Sequence, residues 1–185
     1  MMNPLALELS TTTIPEQIAI LKKRLSYIAE VYEVDGIANM KADYMENVDA
    51  YAISNDARLY NIQFKIRHEG NNDFVLLAKK LTGHSAMNNP IGFMWRGNKY
   101  TFDLKSAHIY VETLGNGETY ILTREEINSL ECSPLLGLAD AITGIQPKKV
   151  YADDGSKILS GDYYVYISGD KINSLKTNIL EASFC

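Results

Sequence analysis

The chain has 185 residues, 46% of them hydrophobic and 22% charged. That is enough material for a full hydrophobic core, and it excludes wholesale disorder. The net charge of −5 argues against a uniformly basic nucleic-acid binder, yet the charge is segregated. Residues 1–57 hold 4 Lys/Arg and 9 Asp/Glu, residues 58–108 hold 8 and 3, and residues 109–185 hold 6 and 11. The middle is therefore locally positive, and local potential rather than total charge steers a polyanion.

Two cysteines, Cys132 and Cys185, make no disulfide framework and read as reduced thiols in a cytoplasmic protein. No apolar run approaches the roughly 20 residues that span a bilayer, and no leader pattern opens the chain. Twelve tyrosines against five phenylalanines suit half-wet sheet surfaces.

The first dozen residues read as a lead-in. Thr13-Ile14-Pro15-Glu16 is a helix start, with Thr13 as cap, Pro15 in the first turn and Glu16 completing a capping box. Ile18, Leu21, Leu25, Ile28 and Tyr32 recur at helical spacing, which predicts a helix to about Val34 that ends at Asp35-Gly36. A weaker segment covers Ile37 to about Glu46. Val48–Ile53 is a strand, Ser54–Ala57 a turn, and Leu59–Ile66 a second strand. In that strand Tyr60, Ile62, Phe64 and Ile66 alternate with Asn61, Gln63 and Lys65, the pattern of one buried face. A third strand runs Asp73 to Leu77.

Ile91–Trp95 and Tyr100–Leu104 flank Arg96-Gly97-Asn98-Lys99 as a hairpin. His108–Val111 and Thr119–Leu122 flank Leu114–Gly117 as another strand pair. A helix follows from Arg124 to about Leu130, Ser133-Pro134 opens another through Ile142, Tyr163–Ile167 is a last strand, and Asp170–Leu180 closes the chain as a helix. The expected architecture is one α/β (α+β mixed) domain over 1–185, with its core at about 14–110 and an elaboration at 111–185 that carries substrate recognition.

The stretch that carries chemistry is Asp49 on one strand followed by Gln63-Phe64-Lys65 on the next. Residues two apart on a strand share a face, so Gln63 and Lys65 project together, and a hairpin brings Asp49 near them. A hard cation such as Mg²⁺ takes oxygen ligands, here a carboxylate and an amide carbonyl. A bound cation polarises a phosphate and acidifies a water, and a neighbouring Lys offsets the charge that builds in the transition state.

These residues resemble the signature of the restriction-endonuclease-like, or PD-(D/E)xK, nuclease superfamily. Its core is a helix, a β-meander carrying the Asp and the (D/E)xK pair, then a helix and a further strand, and the resemblance covers about residues 14–110. Asp49 matches the signature Asp, Gln63 the acidic position and Lys65 the Lys, with Val48 where Pro is usual and Gln63 as a variant. The resemblance implies an N-terminal helix, a β-meander and a mixed sheet flanked by helices. It also implies an Mg²⁺-dependent endonuclease on DNA, of restriction or phage type, with Mn²⁺ as a substitute metal, and a homodimer in many members.

Members often add an acid from the first helix, which points to Glu33, at the edge of the apolar stripe, ahead of Glu30, Asp35 and Asp43. Arg67, Lys79, Lys80 and Arg96 are the expected nucleic-acid backbone contacts, with His68 and His84 beside them. Trp95 reads first as a core residue and second as a base-stacking one. The three histidines lack zinc spacing, and no phosphate-binding Gly-rich loop is present. The competing expectation is a non-catalytic nucleic-acid- or protein-binding or inhibitor module on the same scaffold.

Overall fold

The computed structural model describes residues 13–34 and 48–182. The expected lead-in, the Asp35-Gly36 stop, the segment Ile37–Glu46, the acids Asp35 and Asp43, and Cys185 lie outside the described residues. Contacts divide the chain into two units: Met1–Asn72 with Leu104–Arg124, and Asp73–Asp103 with Glu125–Cys185. The architecture is mixed α/β, and among the described residues it holds two five-stranded sheets rather than the one sequential sheet expected.

In the first unit, helix α1 (Ile14–Arg24) starts as its sequence predicts. Thr13 Oγ1 accepts from the Glu16 N–H and Glu16 Oε2 accepts from the Thr13 N–H, each at 3.4 Å. The helix ends ten residues short of Val34, which corrects the expected boundary. Lys22, Lys23 and Arg24 fill its last turn, where cations complement the helix dipole. The chain then turns and re-enters as strand β1 (Ile28–Glu33). Ile28, Val31 and Tyr32 are strand formers, and Ile28 joins the same core as Leu21. The three- and four-residue spacing therefore marked burial correctly and geometry wrongly.

Strands β2 (Ala50–Ser54) and β3 (Leu59–Ile66) continue the meander. Later in the chain, β7 (Ile109–Thr113) and β8 (Thr119–Thr123) complete the sheet in the order β1-β2-β3-β7-β8. All neighbours are antiparallel except β3 and β7, which run parallel. Ala50, Ile62 and Ile109 stand in register across three strands, as do Phe64, Val111 and Ile121 across another three. With Leu21 of α1 they form the buried core of this unit. Each such large apolar side chain contributes about 1.5–3 kcal/mol on burial. The pleat sends Asn61, Gln63 and Lys65 to the other face.

The second unit is built on β4 (Asp73–Leu81), β5 (Phe93–Trp95), β6 (Asn98–Phe102), β9 (Ile142–Tyr151) and β10 (Lys157–Ser168), in the order β5-β6-β4-β10-β9, all antiparallel. The short helix α2 (Gly83–Asn88), then α3 (Arg124–Cys132), α4 (Leu138–Ala141) and α5 (Gly169–Ala182), accompany it. The β5–β6 hairpin and the closing helix match expectation. The helix expected from Ser133-Pro134 through Ile142 does not form as one piece. A 3-10 turn (Pro134–Leu136) is separated from α4 by Gly137 at φ 88, and Ile142 begins β9. β9 was not foreseen, because Pro147, Lys148 and Lys149 break its strand pattern. It is an edge strand, and Pro and Lys are the residues that keep an edge from pairing further.

Candidate active site

Asp49 lies just before β2 and is pinned at three points. Its N–H donates to Ile62 O at 2.8 Å, its carbonyl accepts from Val34 N at 2.8 Å, and its Oδ2 accepts from the Phe64 N–H at 2.9 Å. The side chain thus supplies the acceptor that a longer β2 would have offered with its backbone. The carboxylate rests on the peptide joining Gln63 to Phe64, within one residue of Lys65. The hairpin does bring Asp49 to the Gln-x-Lys strand.

Gln63 and Lys65 are half-buried on the face away from α1. The Gln63 Nε2 leans on the Phe64 carbonyl at 3.5 Å, a marginal contact, and its Oε1 is buried with no hydrogen-bond partner. A buried carbonyl left unpaired costs about 1–3 kcal/mol. Such an oxygen is an acceptor site for a cation or a water.

The parallel register sets Tyr110 beside Gln63 and Glu112 beside Lys65. Glu112 is only 1% exposed, although carboxylates are among the residues least often buried. Sequence reasoning missed it by ending this strand at Val111. The available signal was the alternation itself, which makes Glu112 a strand residue next to buried Val111. Tyr110 is buried and its hydroxyl donates to Leu104 O at 3.3 Å.

Glu33 needs correction. It sits on β1, not on the first helix, and is paired with Ala50, itself paired with Ile62. That register assigns Glu33 to the face of Ala50 and Ile62, opposite to Gln63 and Lys65, and it is exposed. Glu30 pairs with Ile53 at the far end of the strands. Neither acid joins the Asp49 cluster.

Arg67 follows β3 directly, and its N–H donates to Thr113 O at 2.8 Å. The turn after it is clamped from the β7–β8 loop. Gly115 N donates to Asn71 O at 2.9 Å, and a Cβ on Gly115 would meet His68 O at 2.4 Å, so only glycine fits. His108 accepts at Nδ1 from the Asn61 N–H at 2.8 Å, which makes it part of the sheet's bonding. Among the described residues no three His, Cys, Asp or Glu side chains cluster to hold a metal. A cation here would rest on a mixed set of carboxylate and amide oxygens.

The other expected contacts belong to the second unit. Lys79 and Lys80 are residues of β4, which runs on to Leu81 rather than ending at Leu77. Lys79 is engaged by Asp162 at 3.1 Å and Asp103 at 3.5 Å, and its hydrogen bond to Asp162 holds its ammonium above the ordinary lysine range. Lys79 is therefore engaged by two carboxylates, with more than half of its side chain still exposed. Lys80 and Arg96 are exposed, and His84 is bonded to Asn88 within α2.

Comparison with protein-family models, with curated proteins and with solved structures finds no match for this chain.

Proposed function

We propose that this chain is a metal-dependent nuclease that hydrolyses phosphodiester bonds, with DNA as substrate, on a restriction-endonuclease-like core. The observation that carries the reading is the pairing of two oxygens: an Asp49 carboxylate fixed on the Gln63–Phe64 peptide, and a buried Gln63 Oε1 with no partner. The order of elements supports it. α1 precedes the β1–β2–β3 meander, the Asp stands just before β2, Gln-x-Lys lies in β3, and a later strand, β7, runs parallel to β3, although β4, β5, β6 and the six-residue α2 stand where the superfamily has its second helix.

The donors are all oxygen, which suits Mg²⁺ or Mn²⁺. Asp49 and Gln63 would hold the cation, which supplies polarisation of the phosphate and an acidified water when bound. Glu112, beside Lys65, is the acid that replaces Glu33 in this reading. Lys65 presents its ammonium to the phosphate oxygens and offsets their developing charge. The backbone bonds to Asp49 fix its carboxylate before substrate arrives, so little reorganisation is needed.

A second reading, a non-catalytic binding module on the same scaffold, draws support from the Lys65–Glu112 register. A buried acid beside the lysine competes with phosphate for its charge. One experiment separates the two. Plasmid DNA, oligonucleotide duplexes, single strands and RNA are incubated with the parent protein, Asp49→Ala and Lys65→Ala in Mg²⁺ or Mn²⁺. Cleavage by the parent alone supports the nuclease. Intact substrates in every parent reaction leave the binding module.

A further inference from the structure

We propose that the second unit carries a separate binding groove for single-stranded nucleic acid, between the end of β4, α2 and the β5–β6 hairpin. It deepens the nuclease reading and rests on it for the choice of nucleic acid over other polyanions. The groove has a volume of about 420 Å³, and its walls include Lys80, Met87, Met94, Gly97 and Lys99.

Three observations point to this occupant. The first is charge. Residues 74–102 contain Lys79, Lys80, Arg96, Lys99 and His84 and not one Asp or Glu, in a chain of net charge −5. Lys79 is held by Asp162, but Lys80 is exposed at the groove. Lys99 sits in its wall and donates from Nζ to the carbonyls of Ala86 and Asn89, carrying its charge there while it holds α2. Phosphate contacts of this kind dominate nucleic-acid affinity.

The second is the apolar surface left open among these cations. Met87 is 86% exposed and Met94 55%. Beside the groove, at the tip of the hairpin and outside its lining, the Arg96 guanidinium stacks on Trp95, 4.5 Å from the ring centroid. Unpaired bases bind by stacking on such aromatic and guanidinium planes, while cations track the phosphates. A concave groove of this size admits a splayed nucleotide, whereas a duplex keeps its bases stacked inside.

The third is the geometry of the hairpin turn. Arg96 has φ 46 and Gly97 φ 80, the positive pair that a two-residue hairpin turn requires. Asn is the favoured residue at the first of these positions, and here an arginine takes it. This turn sets Arg96 at the tip of the hairpin, next to Gly97 of the groove wall.

The test is fluorescence anisotropy of a labelled oligo-dT strand with the full chain, in low salt with EDTA, so that cleavage plays no part. Lys80→Glu, Met87→Glu and Arg96→Asn are compared with the parent and with Asp49→Ala and Lys65→Ala. The groove predicts roughly tenfold weaker binding for Lys80→Glu and a shallower salt dependence, by about 1 in the log–log slope. It predicts weaker binding for Arg96→Asn and Met87→Glu as well, with Arg96→Asn melting no lower than the parent. Asp49→Ala and Lys65→Ala, both in the first unit, weaken binding less than Lys80→Glu does. Absence of binding by the parent, equal binding by all groove variants, or tighter binding of a duplex of the same length overturns the groove. Binding that survives while cleavage is absent sinks the nuclease reading alone, and cleavage without groove-dependent binding sinks this inference alone.

Discussion

Gln17 of α1 donates from Nε2 to the carbonyl oxygen of Lys65, 3.0 Å away, and to Thr113 Oγ1 at 3.1 Å. Gln17 is fully buried, and one side chain therefore ties the helix to both parallel strands behind the motif lysine. Its own Oε1 is buried without a partner, a cost that offsets part of the gain. We expect Gln17→Leu to destabilise the chain by about 1–2 kcal/mol, since two hydrogen bonds are lost and one orphan is removed with them. Urea unfolding measures this. A variant as stable as the parent would show that the bridge contributes nothing net.

Asp49 combines a structural and a chemical part, and the two are separable. Asparagine keeps an oxygen for the Phe64 N–H and removes the charge, whereas alanine removes both. Asp49→Asn is expected to melt within a few degrees of the parent, and Asp49→Ala to lose about 1–3 kcal/mol from the unpaired amide. Both are expected to abolish Mn²⁺ binding followed by calorimetry. Metal affinity that survives in Asp49→Asn removes Asp49 from the donor set.

Much of the candidate site was legible because it depends on two local rules. Alternation in Leu59–Ile66 assigned Gln63 and Lys65 to one face, and turn chemistry at Ser54–Ala57 assigned Asp49 to the neighbouring strand. What was not legible depends on pairing between distant segments. Glu112 acquires its meaning only from the register of β7 against β3, and nothing in the residues between them announces that crossover. Glu33 was misplaced because Leu25, Ile28 and Tyr32 keep helical spacing through a turn. The basic cluster Lys22-Lys23-Arg24 marked the true end, and β-branched or aromatic content in Ile28–Glu33 marked a strand. Burial alone satisfies both patterns in so short a stretch. β9 was hidden for the opposite reason: an edge strand is written to look unlike one.

Lys65 and Glu112 face each other across adjacent parallel strands, about 5 Å apart at the backbone. Such neighbours couple energetically, by about 0.5–3 kcal/mol. A double-mutant cycle with Lys65→Met and Glu112→Gln, read by denaturant unfolding, is expected to give a coupling in that range. Strictly additive losses would mean that each side chain is served by other partners. The cycle bears on function too. If Glu112 restrains Lys65, Glu112→Gln releases the lysine and raises phosphate affinity.

Glu131 of α3 gives a pH dependence with a definite sign. Its carboxylate is buried against β6, accepting from the Phe102 N–H and from Thr101 Oγ1. Burial raises its pKa above the ordinary carboxylate value, and the hydrogen bonds from Phe102 and Thr101 only partly oppose this. Between the unfolded and folded pKa values the native state binds more protons than the unfolded state. The stability that Glu131 contributes is therefore complete below the unfolded pKa and is lost as pH rises through the folded one. Glutamine keeps an acceptor for Phe102 without the charge. Glu131→Gln should melt a few degrees above the parent at about pH 8, and the two should converge near pH 4. Thermal melts across that range decide it. A parent that grows more stable than the variant as pH rises would mean that the charged carboxylate, not the neutral acid, is the form the fold prefers.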